Sequence, residues 1–454
     1  MPEPDITVTR AGDGTILVTT GQAAPGAPGG TGGFGPAFAR SVLDVAGAIL
    51  TWPVLRAPGL PVAEVHDAGS AQQWLWAVYG ERTAAAVQAC AEGGADRAGV
   101  AAEGTALADR AARLALGHWA ARWWPTSYLD GISGLEPDLL GLELAALTHE
   151  CQQLFGTPYD TAPDAAYDIP YGTAHHSVYG TAYGISGDQP DDCVAELVED
   201  HRAGLAPLIQ WWRSAPEPSG TAHRPRRHVE HVLRLIDEAA DNAGLDGPAL
   251  RHLRISLGQD RPADTPADLG ALFARTGDHD YALAAAGEPP VAGGRVIGQG
   301  SGTNEWHRYP PGFVDAAENA VSWTARAVGA RREIEVEVVT DAAAPDSGVP
   351  LVAEVRVDGG PAKRVPLSRR GDVWTGRAHL ELMASTVTPR IDVGVLLPGF
   401  DPGPGDAGDA AYREAIRSLA RRRLSDAAAE PVPRETFPGP FLAEIVAATT
   451  TQDF

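Results

Sequence analysis

Apolar residues recur three and four positions apart through much of the chain from Ala37 to about Ala286, which is the spacing of amphipathic helices. Leu107, Ala111 and Leu114 illustrate this spacing. Glycine and proline interrupt the pattern and divide it into helical segments at 37–51, 70–92, 103–124, 136–155, 191–213, 226–243 and 247–257. The pattern therefore predicts a mostly helical N-terminal region.

Strand patterns occupy the two ends of this region. Residues 6–9 and 15–20 are rich in β-branched residues and flank Asp13-Gly14, which predicts a short β-hairpin. Beyond Pro290, runs at 319–327, 332–340, 351–358, 363–367, 373–380 and 390–397 read as strands, and Glu333-Ile-Glu-Val-Glu-Val338 alternates with period two. Their spacing resembles that of immunoglobulin-like or fibronectin-like domains, although the cysteine pair of true immunoglobulin domains is absent.

These patterns predict a multidomain α+β fold: a mostly helical N-terminal region after a short β-hairpin, then an immunoglobulin-like β-sandwich-type domain and a C-terminal helix. The predicted divisions are a hairpin and Gly/Pro linker at 1–36, a helical domain at 37–288, the sandwich at 291–400, and a basic helix with its tail at 410–454. Arg413, Arg417 and Arg421 share one face of that last helix, so we expect it to dock on the acidic N-terminal region.

The helical pattern stops between 156 and 192, in an irregular stretch rich in tyrosine, histidine and aspartate. Irregular segments of this length inside a domain are commonly functional loops or disordered segments. Tyrosine offers a large contact area with a polar tip, which suits binding sites and interfaces. We therefore predict that binding residues lie here, and these are Tyr159, Tyr167, Tyr171, His175, His176, Tyr179 and Tyr183.

Two other clusters were weighed as chemical sites. His228-Val-Glu230-His231 could place both histidines on one helix face, but its spacing matches neither zincin pattern, and an exposed polar helix start is the favoured interpretation. Cys151 follows His149 and Glu150, but positions two apart on a helix diverge, so we expect a small core residue there. No metal site is predicted.

Composition narrows the chemistry further. Lys363 is the only lysine, and no glycine loop precedes it, which excludes a phosphate-binding P-loop and a Schiff-base lysine at any other position. The abundance of glycine, proline, alanine and arginine is typical of a bacterial genome of high GC content. We expect no cofactor. The sequence leaves open whether the chain is an enzyme, and it favours the interpretation that the chain is not one.

Charge and cysteine content bear on partners and location. The formal net charge is −23, with 37 acidic and 18 basic residues up to position 290. Such a chain is not expected to bind nucleic acid or anionic membrane, because neither polyanion attracts an acidic surface. The three cysteines form no C-x-x-C pair, and no secretory signal or membrane span is evident, so a reducing cytoplasm is the expected location.

No motif assigns the chain to a known family. We expect a non-catalytic binding or assembly protein with a protein partner. The most specific version of this expectation is an accessory subunit of a larger bacterial multi-protein complex. The alternative is an enzyme of unrecognised type, metal-dependent or acid-base, with its site under the 156–192 loop. The sequence does not determine the oligomeric state.

Overall fold

The computed structural model describes residues 5–20, 35–56, 59–155, 190–214, 223–258, 272–273, 294–310, 312–341, 351–380, 389–400, 408–429 and 439–450. The helices of these ranges are α1 Ala68–Tyr79, α2 Glu81–Ala91, α3 Ala106–Trp123, α4 Pro137–Glu150, α5 Pro190–Asp200, α6 Leu205–Ser214, α7 His223–Asn242, α8 Pro248–Gly258, α9 Asp409–Ala428 and α10 Leu442–Thr450. The strands are β1 Asp5–Arg10, β2 Ile16–Thr20, β3 Arg40–Val45, β4 Ala48–Pro53, β5 Val62–Val65, β6 Arg97–Ala101, β7 Arg295–Ser301, β8 Val321–Val328, β9 Arg331–Val339, β10 Val352–Val357, β11 Lys363–Pro366, β12 Ser368–Arg370, β13 Val373–His379 and β14 Ile391–Leu396.

The predicted fold class is wrong in its N-terminal part, because the chain begins with a sheet and not with a hairpin followed by helices. Strands β1 to β6 form one antiparallel sheet in the order β3-β4-β5-β2-β1-β6. The segment 37–51, predicted as a helix, contributes the hairpin β3–β4. Its buried positions alternate, with Leu43 and Val45 on one strand and Leu50 and Trp52 on the other.

Gly47 makes that hairpin possible. Its φ is 73°, a backbone conformation that residues with a side chain rarely adopt. A Cβ atom at this position would also overlap the carbonyl oxygen of Asp67. The alanines and valines on both sides of Gly47 fit either a helical or a strand period over so short a run. The turn at Gly47 therefore decides in favour of two strands.

The helices begin at recognisable signals. The Asp67 side chain accepts hydrogen bonds from the backbone N–H groups of Gly69 and Ser70 at the start of α1, and Thr105 caps α3 in the same way. Pro137 stands in the first turn of α4. Every residue of α4 from Leu139 to Thr148 is buried, and α3, α5, α7 and α10 all contact it, so α4 is the central helix of the molecule.

The strand-rich C-terminal region corrects the second part of the predicted fold class. Its strands form a three-stranded sheet, β11-β10-β14, and a five-stranded sheet, β12-β13-β9-β8-β7, both antiparallel. The predicted strand runs correspond to real strands, but their arrangement is not clearly immunoglobulin-like. Period-two alternation reports which face of a strand is buried and carries no information on strand order.

Helix α9 packs within the chain through its arginines. The guanidinium group of Arg413 is 2% exposed and donates to both carboxylate oxygens of Glu318, at 2.9 and 2.6 Å. Arg417, equally buried, lies 3.1 Å from the Asp130 carboxylate. Docking of this helix on the N-terminal region was predicted. In the structure two regions form the docking surface, since Asp130 belongs to the N-terminal region and Glu318 to the strand-rich region.

None of the described helices has both the length and the apolar character that a bilayer crossing requires.

Candidate functional site

The connection between α3 and α4 forms a turn, residues 126–132, at which three parts of the molecule meet. Ser127 and Ile132 close it with two backbone hydrogen bonds of 2.9 and 2.7 Å, and Gly131 provides a φ of 63°. The backbone N–H of Ala316, in the strand-rich region, donates to the Thr126 carbonyl at 3.0 Å. We refer to residues 126–132 as the junction turn.

A buried carboxylate holds the junction turn in place. Asp315 is 1% exposed and accepts hydrogen bonds from the Ser127 hydroxyl at 2.7 Å and from the backbone N–H groups of Tyr128 and Leu129 at 2.7 and 3.3 Å. A fourth bond comes from the backbone N–H of Ala317 at 2.8 Å. Burial of a carboxylate is costly unless its oxygens are hydrogen-bonded, so these four donors stabilise both the charge and the turn.

Helix α9 holds the same turn from a third direction. Besides the Arg417 contact, Arg421 lies 3.9 Å from the Asp130 carboxylate. Arg417 also donates to the Ala316 carbonyl at 3.2 Å, so one guanidinium group joins α9 to both of the other parts. The position of the junction turn is therefore determined by the α3–α4 connection, the strand-rich region and α9 together.

The tip of the junction turn carries two large apolar side chains into solvent. Tyr128 is 51% exposed and Leu129 is 44% exposed. Single exposed apolar residues are common on protein surfaces and need no explanation. Two adjacent ones on a turn whose backbone is held by a buried carboxylate are more informative, because the rigid support fixes the direction in which both project.

A cavity of about 220 Å³ lies next to the junction turn, between α3, α4, α5 and the strand-rich region. Its polar lining comes from His118 and Arg122 of α3, Thr126 of the junction turn, His201 after α5, and Asp341 after β9. Leucines supply most of the apolar wall, together with Trp124; they are Leu135, Leu140, Leu144 and Leu197. Apolar walls with a few convergent polar groups are typical of small-molecule sites.

His118 is the unusual group in this cavity. Its Nε2 atom is inaccessible to solvent and has no hydrogen-bond partner among the described residues. Burial lowers the pKa of His118 to about 4, because the charged imidazolium form would be desolvated. The side chain is therefore a neutral imidazole at pH 7, and its Nε2 atom is sealed from solvent.

The lowered pKa of His118 predicts acid sensitivity between pH 6.5 and 4. In that window the unfolded chain binds a proton at His118 that the folded chain does not, so stability falls as the pH is lowered and the loss levels off below pH 4. The loss due to this group is at most about 3 kcal/mol. Urea unfolding at several pH values should show it, and a His118→Gln variant should show a flatter pH dependence over this window. An unchanged slope in the variant would contradict the assignment.

His201 has a fixed orientation on the opposite side of the same cavity. Its Nδ1 atom lies 3.2 Å from the Asp138 carboxylate, and its ring rests on Gly141 of α4. A Cβ at position 141 would overlap the imidazole, so only glycine leaves room for the ring there. The Asp138 contact and the fit against Gly141 therefore hold the His201 ring in one orientation.

Away from the cavity, a second buried carboxylate ties the C-terminal segment to the central helix. Glu143 accepts hydrogen bonds from Arg113 at 2.6 Å and from the Leu442 backbone N–H at 2.7 Å, and His228 lies 2.9 Å from the same carboxylate. Burial alone would raise the pKa of Glu143, but the charges and hydrogen bonds of His228 and Arg113 outweigh it and lower the pKa to about 2. This cluster holds structure together, and Glu143, Arg113 and His228 do not line the cavity beside the junction turn.

The structure shows the contacts of the two residue clusters that the sequence offered as chemical sites, the one at His228 and the one at Cys151. His228 does not pair with His231 around an ion, since His228 contacts Glu143 while His231 lies 3.5 Å from Glu150. The interpretation as a purely exposed helix start was wrong for His228, because this contact is to a buried partner. Cys151 is fully buried, as predicted, and burial raises the pKa of its thiol to about 12, so it is a core residue and a poor nucleophile.

The predicted binding residues of the 156–192 loop, from Tyr159 to Tyr183, lie outside the described residues and their role stays a prediction. The sequence analysis missed the junction turn and the cavity. One local signal existed, since Thr126-Ser-Tyr-Leu-Asp-Gly131 is a turn-forming stretch with two apolar residues between two predicted helices. Asp315 and His201 carry no such signal, because each acts on residues far away in the sequence. The arginine face that includes Arg417 predicted the docking of α9, but not its contact with this turn.

The described residues contain no group of three or more histidine, cysteine, aspartate or glutamate side chains placed to hold a metal ion. The junction combines an exposed apolar pair on a rigid turn with a small cavity beside it that His118 and His201 line. No family model, no curated protein and no solved structure matches the chain.

Proposed function

We propose that this chain is a non-catalytic binding protein that docks a basic protein partner on the tip of its junction turn. The observation that carries the proposal is the exposure of Tyr128 and Leu129, 51% and 44%, on a turn fixed by the fully hydrogen-bonded Asp315. The interpretation as a subunit of a larger bacterial assembly in the cytoplasm is part of this proposal. The buried free thiols of Cys90 and Cys151 are in keeping with that reducing location.

Rigidity favours a docking role for the turn. Association costs conformational entropy for every segment that becomes ordered on binding, and a turn that is already held from three sides avoids much of that cost. Tyrosine is enriched in interface hot spots because it adds contact area with few rotatable bonds, and the adjacent leucine extends the apolar surface. The tip therefore has the composition and the support of an anchor that fills a cleft on a partner.

The charges around the turn indicate how the partner would be attracted. Three carboxylates, those of Asp130, Glu318 and Glu414, lie among three guanidinium groups, those of Arg413, Arg417 and Arg421, so the immediate rim is nearly balanced. The contact itself would then depend on apolar area. The net charge of −23 acts over a longer range: it repels a second copy of the chain and speeds association with a positively charged protein.

The experiment identifies the partner by its position and then measures it. A photo-crosslinking amino acid is placed at position 128 and, as a matched control, at Ile255 of α8, which is 56% exposed. The protein crosslinked from position 128 in a lysate of the native host is identified, purified and titrated. We expect a Tyr128→Ser/Leu129→Ser double variant to bind it at least about tenfold more weakly, while Ile255→Ser binds as the wild type does.

Several results would contradict this function. The double variant should unfold close to the wild type, because both side chains are about half exposed and the turn is held by backbone hydrogen bonds and by Asp315. Equal binding by wild type and double variant would exclude the turn as the docking site. Crosslinking mainly to a second copy of the chain, or to a partner without excess positive charge, would refute the choice of partner.

A further inference from the structure

The cavity beside the junction turn is large enough to hold a guest molecule. Its volume of about 220 Å³ has room for roughly seven waters, or for one molecule on the order of ten non-hydrogen atoms. Ala121 of α3 lines the cavity and is itself exposed, so a guest can enter from solvent. The groups in the wall determine which class of guest the cavity favours.

Most of the wall is hydrocarbon. Leu140 and Leu144 of α4 and Leu197 of α5 contribute buried aliphatic side chains to it. Trp124 adds an aromatic ring, and its single N–H group already donates to the Ser133 carbonyl at 2.9 Å. The indole therefore offers a guest ring carbons and no hydrogen bond.

The ionisable groups of the wall are engaged by the protein itself. His201 faces the Asp138 carboxylate through Nδ1, and the Nε2 atom of His118 is sealed from solvent. Arg122 and Asp341 both have interaction partners within the chain. Waters in the cavity therefore gain few hydrogen bonds from these groups, and an apolar guest that displaces such waters gains affinity.

We propose that this cavity binds one small uncharged molecule with an apolar body, such as a single aromatic ring with a short alkyl group. A charged guest would lose its hydration without finding a free partner in the wall, which makes its binding unfavourable. This inference goes beyond the docking function of the turn and can fail without affecting it. The site is nevertheless close to the turn, because Thr126 belongs to both.

Ligand-observed NMR titration of the full chain with toluene tests the proposal, with benzoate and benzylamine as comparison probes that carry opposite charges on the same ring. We expect saturable binding of one toluene with a dissociation constant of about 1 mM or lower, and binding of both charged probes at least about tenfold weaker. Absence of saturable toluene binding would mean that the cavity holds water only and would overturn the proposal. Either charged probe binding as tightly as toluene would overturn the choice of an uncharged guest.

Two further measurements locate the binding. In protein with labelled leucine methyl groups, we expect nuclear Overhauser effects between bound toluene and Leu140, Leu144 and Leu197. Ala121→Phe should narrow the cavity at little risk to folding and weaken toluene binding at least about tenfold. Ala89→Phe, exposed on α2 and outside the lining, is the control and should leave the affinity unchanged. Toluene binding without contacts to these leucines, or at wild-type affinity in Ala121→Phe, would refute the proposed site.

Discussion

A Glu143→Ala variant is expected to lose roughly 3–5 kcal/mol of unfolding free energy, which is the usual cost of removing one partner from a buried ion pair. Glu143 is 1% exposed at the centre of α4, and its two carboxylate oxygens are within hydrogen-bond distance of Arg113, His228 and the Leu442 backbone N–H. Truncation leaves the Arg113 guanidinium without its carboxylate. Urea unfolding followed by tryptophan fluorescence measures the loss.

The control for this variant is Glu150→Ala at the end of the same helix. Glu150 has longer ion pairs, 3.7 Å to Arg110 and 3.5 Å to His231, and both of those partners are largely solvated. Such a pair contributes about 0–1 kcal/mol, so the control should change stability little. Hydrogen exchange in residues 439–450 should also rise in Glu143→Ala but not in the control, because only Glu143 bonds to Leu442.

The lowered pKa of Glu143 also predicts how the free energy of unfolding depends on pH. Because the folded pKa of about 2 lies below the ordinary 4.5, the stabilisation by Glu143 is fully present above pH 4.5 and is lost as the pH falls towards 2. The wild type should therefore lose stability across this window more steeply than Glu143→Ala. A loss below about 1 kcal/mol in Glu143→Ala at pH 7, or equal pH slopes, would contradict the buried ion pair.

An Asp315→Ala variant is expected to lose about 3–4 kcal/mol and to release the junction turn from the strand-rich region. The variant removes the acceptor of four hydrogen bonds, three of them from residues 127–129 and one from Ala317. Buried donors that lose a charged acceptor contribute the larger share of such a loss. Urea unfolding gives the stability, and hydrogen exchange of the Tyr128 and Leu129 amides reports the release of the turn.

Asp13→Ala is the matched control for Asp315→Ala. The Asp13 carboxylate also accepts a backbone N–H in a turn, from Thr15 at 3.0 Å, but that turn is exposed and water replaces the lost acceptor. Its expected loss is below about 1 kcal/mol. Equal losses in the two variants would show that Asp315 is an ordinary turn residue, and the rigid support for the docking proposal would be lost.

Several local structures could be predicted because the physical signal lies within a few residues. Helix α3 was expected over 103–124 and spans Ala106–Trp123, since its apolar spacing, Thr105 cap and following Pro125 all lie in the local sequence. The alternation of 332–340 likewise predicted strand β9. The prediction of a helix at 37–51 failed because the helical and strand periods both fit a mixed run of fifteen residues. The turn at Gly47 and the pairing of β4 with the distant strand β5 decided in favour of strands.

In the candidate site, too, features set by neighbouring residues could be predicted, whereas contacts between residues distant in the sequence could not. By itself the sequence determined the acidic charge, the lack of a phosphate-binding loop, most helix and strand periods, and the turn-forming stretch at 126–131. Only the tertiary structure decided that Asp315 holds Ser127 across 188 positions, that Arg417 reaches Asp130, and that His118 and His201 share one cavity. Periodicity and capping act over a few residues, whereas a buried charge is satisfied by whichever donors the packed fold brings to it, and local sequence carries no record of which donors those are.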